Sequence, residues 1–190
     1  METLKELDRD LLIFLNSLHA PWLDPIMFWT TKTFFWLPLY LFLLYLIIRN
    51  YKKQSWIPVI GITLTVLLAD QITSGFMKPF FERLRPSREP ALEGLLHHVN
   101  NYRGGMYGFS SGHAANTVGT ATFFFLLFRN KYRWIIYLFV WAALMTYTRI
   151  YLGVHYPGDI LVGGTIGILC GWTGFKVQGI LENRFAKNKI

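Results

Sequence analysis

Residues 108–128 read GFSSGHAANTVGTATFFFLLF, so a long hydrophobic segment begins directly behind a run of weak helix formers. Ser and Gly are unfavourable inside a helix but common at its N-terminus, where Ser111 is placed to act as the N-cap. The first backbone N–H groups of such a helix are free, and the helix dipole favours an anion beside them. The stretch therefore predicts either an ordinary capped helix or an anion site that includes His113.

The composition of the chain indicates a membrane protein. Of its 190 residues, 53% are hydrophobic and 17% are aromatic, which is more apolar than an ordinary soluble domain. Five segments have the apolar character of membrane spans: Pro25–Ile48, Trp56–Phe80, His113–Phe128, Tyr132–Ile150 and Pro157–Val177. We therefore predict a single domain over residues 1–190 that is all-α, a polytopic membrane helix bundle of about five transmembrane helices.

Residues 1–24 differ from the predicted spans because charged side chains alternate with apolar ones. Leucines recur there at helical spacing, at positions 4, 7, 11, 12, 15 and 18, with Lys5, Glu6, Asp8, Arg9 and Asp10 between them. A helix with one apolar and one charged face is typical of a segment that lies in the membrane interface. We predict an amphipathic interfacial helix before the first span.

The net charge of +8 follows the predicted membrane topology. The basic residues fall in short loops and in the C-terminal tail, without a motif that reads nucleic acid, so no nucleic-acid partner is expected. They are Arg49, Lys52 and Lys53, then Arg129, Lys131 and Arg133, then Arg184, Lys187 and Lys189. The positive-inside rule makes that side, with the C-terminus, cytoplasmic. The loop 81–112 and the turn 151–156 then face outward, which in a short bacterial inner-membrane protein is the periplasm.

Two cations stand at the boundary between the second span and the outward loop. Lys78 and Arg85 are seven residues apart, about two helical turns, so on a continuous helix they would point the same way. Such a pair suits an anion with several oxygen atoms. Interfacial Lys and Arg side chains that reach toward water are the ordinary alternative.

A third polar stretch begins with Thr148 and Arg149 and ends at Asp159. Pro157 fits the first position of the fifth span, which places His155 just before that helix and Asp159 in its first turn. From there the carboxylate can hold one nitrogen of the imidazole ring and leave the other free as a nucleophile or base. We expect Arg149 beside this pair, at the outward end of the fourth span.

Together these stretches resemble the signature of the type 2 phosphatidic acid phosphatase superfamily, K-x6-RP, PSGH and SR-x5-H-x3-D, and the likeness covers residues from about 25 to 177. The family includes membrane lipid phosphatases and undecaprenyl pyrophosphate phosphatases. The three motifs begin here at Lys78, Ser110 and Thr148, and every spacing matches. Ser110 stands where the family usually has Pro, and Thr148 where it usually has Ser. Neither departure removes a charged or nucleophilic group.

The resemblance implies a phosphatase that works through a phosphohistidine. His155 is the implied nucleophile, Asp159 orients it, and His113 protonates the leaving oxygen and then activates water. The implied phosphate-binding residues are Lys78, Arg85, Ser111, Gly112 and Arg149. Three fixed cations would do the work of a metal ion, and the acidic residues have no metal-ligand spacing, so we expect neither a metal nor another cofactor.

A site at the membrane boundary suits an amphiphilic substrate, a phospholipid or a polyprenyl phosphate or pyrophosphate. Undecaprenyl pyrophosphate is favoured on its frequency in the family, ahead of phosphatidylglycerol phosphate, phosphatidic acid and lipid A phosphates. Loop 87–109 is expected to gate the site or select the head group. Its His97 and His98 could contact phosphate, bind a metal ion or simply be exposed. The sequence leaves two alternatives open, a lipid phosphotransferase with the same site and a small non-enzymatic transporter.

Two charged residues lie inside the predicted spans. Lys32 and Asp70 are each about 10–12 Å below the outer boundary if the helices rise 1.5 Å per residue. Unpaired charges at that depth are costly, so we predict a Lys32–Asp70 contact. The alternative places Asp70 behind the active site, and the pair would also favour the transporter hypothesis.

Small residues follow one face of the fifth predicted span. Gly163, Gly164, Gly167 and Gly171 are spaced by about one helical turn or less. Such spacing is typical of membrane helices whose backbones pack closely. We therefore predict a tight helix contact along this span.

Overall fold

The computed structural model describes residues 2–186, so Lys187 and Lys189 of the predicted basic tail lie outside the described residues. The α-helices are α1 Glu2–Ser17, α2 Asp24–Thr30, α3 Leu37–Tyr51, α4 Trp56–Asp70, α5 Lys78–Phe81, α6 Gly112–Phe128, α7 Leu138–Tyr151 and α8 Pro157–Ala186. No β-strand occurs in this range apart from an isolated bridge between Leu84 and Tyr107. The prediction of an all-α fold is confirmed.

Within the described range, four helical segments are long and apolar enough to cross a membrane. They are Thr33–Gln54, Trp56–Phe81, Arg133–Tyr151 and Pro157–Phe185. The remaining predicted span, His113–Phe128, corresponds to α6, which has 17 residues and lies in the middle of the bundle against α4, α7 and α8. The polytopic helix bundle is therefore confirmed, and the count of five spans stays a prediction.

The contact between α6 and α8 depends on glycine. A Cβ at Gly167 of α8 would lie 2.5 Å from the carbonyl oxygen of Ala115 in α6, and one at Gly171 would lie 2.5 Å from that of Gly119. Gly163 is pressed in the same way against Ser111. These residues form the close contact predicted for the fifth span, whereas a Cβ at Gly164 would make only ordinary van der Waals contact with α6, 3.9 Å from Val118 Cγ2. The close approach fixes the start of α6 beside the start of α8.

The first predicted span, Pro25–Ile48, is wrong at its N-terminal end. Helix α2 ends at Thr30, Lys32 has an extended backbone, and a 3₁₀ turn over Thr33–Trp36 leads into α3. The end of the helix leaves the backbone carbonyl of Thr30 without a helical partner. The indole N–H of Trp36 donates to this carbonyl at 2.7 Å and so satisfies it. The membrane-crossing segment therefore begins at Thr33, and Thr31 is left at the end of the bundle that carries His155.

Helix α1 lies across this same end of the bundle, against α7 and α8. It buries Leu12 completely in a small core with Leu92 and Ile150. Asn16 fastens it further, because its Nδ2 donates to the carbonyl of Tyr151 at 2.8 Å and its Oδ1 accepts from the backbone N–H of His97 at 2.8 Å. The amphipathic helix predicted for residues 1–24 is present over Glu2–Ser17, and its place in the membrane interface stays a prediction.

Candidate active site

The helix that carries Lys78 changes its winding just before that residue. A π-helical turn over Gln71–Met77 joins α4 to α5, and such turns are frequent at functional sites. Lys78 Nζ donates to Ser74 Oγ, 2.9 Å away, one turn earlier on the same face. The side chain is thereby directed into a polar cavity at this end of the bundle.

Arg85 reaches that cavity by a different path from the one predicted. Helix α5 ends at Phe81, Glu82 has a left-handed backbone with φ of 46°, and the chain is extended at Arg85. Two bonds hold the arginine, since its backbone N–H donates to the carbonyl of Met106 at 3.0 Å and its Nε to that of Tyr107 at 3.1 Å. Lys78 and Arg85 therefore line one cavity because the loop turns back, and not because a continuous helix carries both on one face.

Helix α6 begins as the sequence predicts. Ser111 is its N-cap, with Oγ accepting from the N–H of Ala114 at 3.4 Å, and its own N–H donates to the carbonyl of Asp159 at 3.0 Å. A Cβ at Gly112 would lie 3.3 Å from Thr73 Oγ1, so glycine allows the start of α6 to approach the π-helical turn that follows α4. Gly112 lines the polar cavity, whereas Ser111 is fully buried behind it.

His155 and Asp159 meet as their spacing predicts. Gly153, with φ of +65°, turns the chain between α7 and α8 and places His155 two residues before the helix. His155 Nδ1 lies 3.3 Å from Asp159 Oδ2, and the backbone N–H of Tyr156 donates to the same oxygen at 3.0 Å. His155 Nε2 faces the cavity side, 3.4 Å from an Nη1 of Arg85.

The surroundings of His155 favour a neutral ring. Burial and the positive charges of Arg85, Arg149 and Lys78 hold its pKa well below the ordinary 6.5. A neutral ring that donates Nδ1–H to Asp159 leaves the lone pair on Nε2. The lone pair of the neutral ring therefore lies on the atom that faces the cavity.

Arg149 is 2% exposed and lies between residues that the sequence analysis did not connect with it. One Nη donates to Thr31 Oγ1 at 2.7 Å, and the other donates to the hydroxyl of Tyr102 at 3.4 Å. Thr148, next to it in the chain, donates to the carbonyl of Met145 and lies 3.0 Å from the same Thr31 oxygen. The hydroxyl of Thr148, where the family usually has Ser, thus supports the partner of Arg149.

The polar cavity has a volume of about 280 Å³. Its wall consists of Asp70, Ser74, Lys78, Arg85, Tyr102, Gly104, Gly105, Gly112, His113, Asn116, Arg149 and His155. Within residues 2–186, none of its three cations forms an ion pair with a carboxylate. Buried charges are normally paired, so the cavity is suited to an anion. Asp159 does not reach the cavity and acts on it only through His155.

Arg83 and Thr31 are the residues that the sequence analysis missed. Arg83 lies between Lys78 and Arg85 in the chain, and its Nη1 donates to Asp159 Oδ1 at 2.9 Å. A further basic residue only two positions before Arg85 was a signal in the sequence that could have assigned Arg83 to the site. Thr31 gave none, because an isolated threonine in an apolar segment does not predict a helix break.

The predicted Lys32–Asp70 contact is wrong, since the two side chains form no ion pair in the described structure. Lys32 Nζ lies over the ring of Phe28 at 4.5 Å, and Asp70 lines the polar cavity with Lys78. The depth estimate failed because the span begins at Thr33, so Lys32 is at the end of the bundle and not inside it. Asp70 is closer to the alternative prediction, in which its carboxylate belongs to the surroundings of the active site.

His97 and His98 hold the loop and do not line the polar cavity. His97 Nε2 lies 3.0 Å from both carboxylate oxygens of Asp24, and its ring stacks on His19. His98 Nδ1 lies 3.3 Å from the carbonyl of Leu152. Among the residues described, no group of three or more His, Cys, Asp or Glu side chains is arranged to hold a metal ion, and metal independence stays a prediction.

A second, apolar cavity of about 380 Å³ lies between α3, α4, α6 and α7. It shares His113 and Asn116 with the polar cavity, so the two adjoin at the start of α6. From His113 to Phe124 the wall follows α6 for eleven residues, about 16 Å along the helix. The site therefore combines a cationic chamber with a long apolar one.

The chain is similar in sequence and in fold to several known proteins. The sequence profile described as "PAP2 superfamily" matches residues 59–181. The chain is 42% identical to the lipid A 4'-phosphatase of Bacteroides thetaiotaomicron, over 97% of this chain and 82% of that protein. It is 39% identical to the lipid A 4'-phosphatase of Porphyromonas gingivalis, over 97% of this chain and 78% of that one. The crystal structure of LpxE from Aquifex aeolicus superposes with a TM-score of 0.68 at 29% identity, over 90% of this chain and 95% of that one.

Proposed function

The chain belongs to the PAP2 superfamily and is a membrane lipid phosphatase, and on that premise we propose that it removes the 4'-phosphate of lipid A, a phosphorylated and acylated sugar. The observation that carries the proposal is the cluster of Lys78, Arg85 and Arg149 around His155 without a carboxylate partner in the described residues. A phosphate ester supplies the missing negative charge and several acceptor oxygens.

The proposed reaction has two steps at one phosphorus atom. His155 Nε2 attacks phosphorus and forms an N–P bond while the bond to the sugar oxygen breaks, and His113 gives that oxygen a proton. Water, deprotonated by His113, then attacks the phosphohistidine, releases inorganic phosphate and restores His155. Asp159 stabilises the imidazolium through Nδ1. The three cations and the free N–H groups at Gly112 hold the phosphoryl oxygens, and a contact from Ser111 stays a prediction.

The apolar cavity supports an acylated substrate. Its junction with the polar cavity lets the phosphate face His155 while one hydrocarbon chain lies between α3, α4 and α6. Two buried polar atoms in its wall have no hydrogen-bond partner among residues 2–186, Asn116 Oδ1 at the junction and Trp141 Nε1 farther along. An acyl chain carries amide, hydroxyl or ester groups that can satisfy such atoms, whereas a polyprenyl chain is pure hydrocarbon.

This conclusion corrects the preference for undecaprenyl pyrophosphate. That preference used family frequency alone, whereas the relatives that match 97% of the chain carry the name lipid A 4'-phosphatase. The unpartnered polar atoms of the apolar cavity favour the same change of substrate.

We also propose that the polar cavity faces the periplasm across a bacterial inner membrane. The basic residues Arg49, Lys52, Arg129 and Lys131 lie at or beside the ends of α3 and α6 that are remote from His155. The positive-inside rule assigns those ends to the cytoplasm. A cysteine-accessibility experiment with an impermeant reagent at Gly105 and at Lys131 would separate the two orientations.

The experiment that tests the function is a turnover comparison on detergent-purified protein. Lipid A, undecaprenyl pyrophosphate, phosphatidylglycerol phosphate and phosphatidic acid are offered separately, with His113→Ala and His155→Ala as controls. We expect the largest kcat/KM for lipid A and loss of the 4'-phosphate by mass spectrometry. A larger kcat/KM for undecaprenyl pyrophosphate would overturn the proposed substrate.

The same assay separates the remaining alternative. A phosphotransferase would move the phosphoryl group to an added lipid or sugar acceptor, so lipid A would be consumed without release of an equal amount of inorganic phosphate. We expect equal amounts, because His113 is placed in the cavity wall where it can activate water.

A further inference from the structure

Arg83 contacts the side of Asp159 that faces away from His155. The carboxylate of Asp159 is fully buried, and its Oδ2 accepts from Tyr156 N–H and faces His155 Nδ1. Its Oδ1 accepts from Arg83 Nη1 at 2.9 Å. The guanidinium carbon of Arg83 lies 3.9 Å above the centre of the Tyr156 ring, so the arginine is held flat against the turn that carries His155.

A residue of the N-terminal helix holds the other end of Arg83. Asp8 Oδ2 accepts from Arg83 Nη2 at 2.8 Å, and Asp8 Oδ1 accepts from the backbone N–H of Gly158 at 2.7 Å. Gly158 is in the first turn of α8, where the helix dipole favours a carboxylate. Asp8 therefore joins α1 to both the arginine and the helix that carries Asp159.

These contacts matter because Asp159 has to remain an anion inside the protein. An ionised carboxylate is costly to bury unless its oxygens are paired. Only the ionised carboxylate, and not the protonated acid, can stabilise an imidazolium at His155. Without Arg83, Oδ1 would keep no protein partner among the contacts described. The orientation of the carboxylate would then be less restricted, and its ionised form would be less stable.

Helix α1 is placed to sense the membrane surface. Its face opposite the bundle exposes an apolar stripe with a spacing of three and four residues, formed by Leu4, Leu7, Leu11 and Phe14 and continued by Leu18 directly after the helix. A stripe of this kind is suited to the boundary between lipid head groups and acyl chains. Asp8 lies on the same helix, with 16% of its side chain exposed. The position of α1 in the interface would therefore determine the position of Asp8.

We propose that Arg83 is a positioning residue, held by Asp8 of α1, which keeps Asp159 charged and directed at His155. The N-terminal helix thereby links contact with the lipid surface to the orientation of the nucleophile. The inference rests on the proposed phosphatase function and adds a regulation of the same site.

The test compares Arg83→Gln, Arg83→Lys and Asp8→Asn with the wild type on a lipid phosphate that the wild type hydrolyses. We expect Arg83→Gln to lower kcat about 10–100-fold with little change in KM. Arg83→Lys should recover part of the loss, because a lysine can reach one carboxylate but does not bridge two with a planar fork. Asp8→Asn should lower kcat in the same direction by a smaller factor.

Asp10→Asn is the matched control, since Asp10 is on the same helix with 64% of its side chain exposed and, in the part of the chain that the structure describes, pairs only with its neighbour Arg9. Its kcat should equal that of the wild type. A second comparison places Arg83→Gln in an Asp159→Asn background. If Arg83 acts through Asp159, the Arg83→Gln substitution should lower kcat little further in the Asp159→Asn background. An independent role of Arg83 would give the full loss of kcat again.

Nitrogen NMR of the imidazole rings gives a readout that does not depend on turnover. In the wild type, His155 should show one tautomer with the proton on Nδ1, and Arg83→Gln should show a mixture. A raised KM with unchanged kcat, or a full loss in the Asp159→Asn background, would overturn the positioning role. Failure of the wild type to release phosphate from any lipid would instead reject the proposed function, and the NMR comparison would still decide the role of Arg83.

Discussion

His155 Nδ1 lies 3.3 Å from Asp159 Oδ2, and the two residues are separated by a single helical turn at the start of α8. This geometry leaves the lone pair of the neutral ring on His155 Nε2, the proposed nucleophile. We expect His155→Ala to form no acid-labile phospho-adduct when the protein is quenched during turnover of a labelled substrate. Asp159→Asn should still fold and bind substrate but lose about 10³–10⁴-fold in kcat, as other carboxylate–histidine pairs do. An adduct in His155→Ala would contradict the assignment.

The protonation of His155 provides a second prediction. Burial and the cations Arg85, Arg149 and Lys78 hold its pKa well below 6.5. The folded protein thus takes up fewer protons than the unfolded chain when the pH falls through 6.5, and His155 makes stability decrease in that direction. Nitrogen NMR, assigned with His155→Gln, should show a neutral His155 ring at and below pH 6.5. A ring that titrates at or above that value would contradict the prediction.

Thr31 provides a prediction that sequence alone could not make. Its hydroxyl accepts from Arg149 at 2.7 Å, and a hydrogen bond to a charged group contributes about 1.5–3 kcal/mol. Thr31→Val keeps the shape and removes this acceptor, so Arg149 should hold the substrate less well and KM should rise about 10-fold. Thr30→Val is the matched control, because Thr30 Oγ1 donates to the Ile26 carbonyl of its own helix. Equal KM values for the two variants would exclude the role of Thr31.

The positions that could be predicted from the sequence are those fixed by spacing within a helix or at its end. Pro157 sets the start of α8 and thereby the meeting of His155 with Asp159, and Ser111 sets the start of α6. The meeting of Lys78 with Arg85 was predicted for the wrong reason, because a loop and not a helix joins them.

The contact between Thr31 and Arg149 and the contact between Asp8 and Arg83 depend on how distant segments pack. Both pairs of partners are far apart in the chain, so neither hydrophobic periodicity nor motif spacing carries information about them. The glycine spacing of α8 predicted a close helix contact correctly, although it could not say that α6 is the partner.

Catalysis without a metal ion is a further prediction. The proposed role of Lys78, Arg85 and Arg149 is to hold the phosphoryl oxygens, which is what a metal ion does in other phosphatases. We expect the release of inorganic phosphate to continue at an unchanged rate in excess chelator. Loss of turnover that a divalent cation restores would contradict the prediction, and a zinc-dependent phosphatase in the same buffer checks that the chelator is effective.

The glycine face of α8 allows a comparison between two neighbouring positions. A Cβ at Gly167 would lie 2.5 Å from the carbonyl oxygen of Ala115 and 2.9 Å from the backbone nitrogen of Gly119, so neither contact can give way by side-chain rotation. Gly167→Ala should therefore force α8 away from α6 and cost about 1–3 kcal/mol or more. Because α6 carries His113 and α8 carries Asp159, turnover should fall as well.

Gly164→Ala is the matched control, since its Cβ would meet only Val118 Cγ2 at 3.9 Å. Replacing a helix glycine with alanine where there is space stabilises by about 0.5–1 kcal/mol. The melting temperature in detergent should thus fall for Gly167→Ala and stay equal or rise for Gly164→Ala. Equal melting temperatures for both variants would mean that α6 and α8 do not pack through their backbones, and the placement of His113 beside His155 would lose its structural basis.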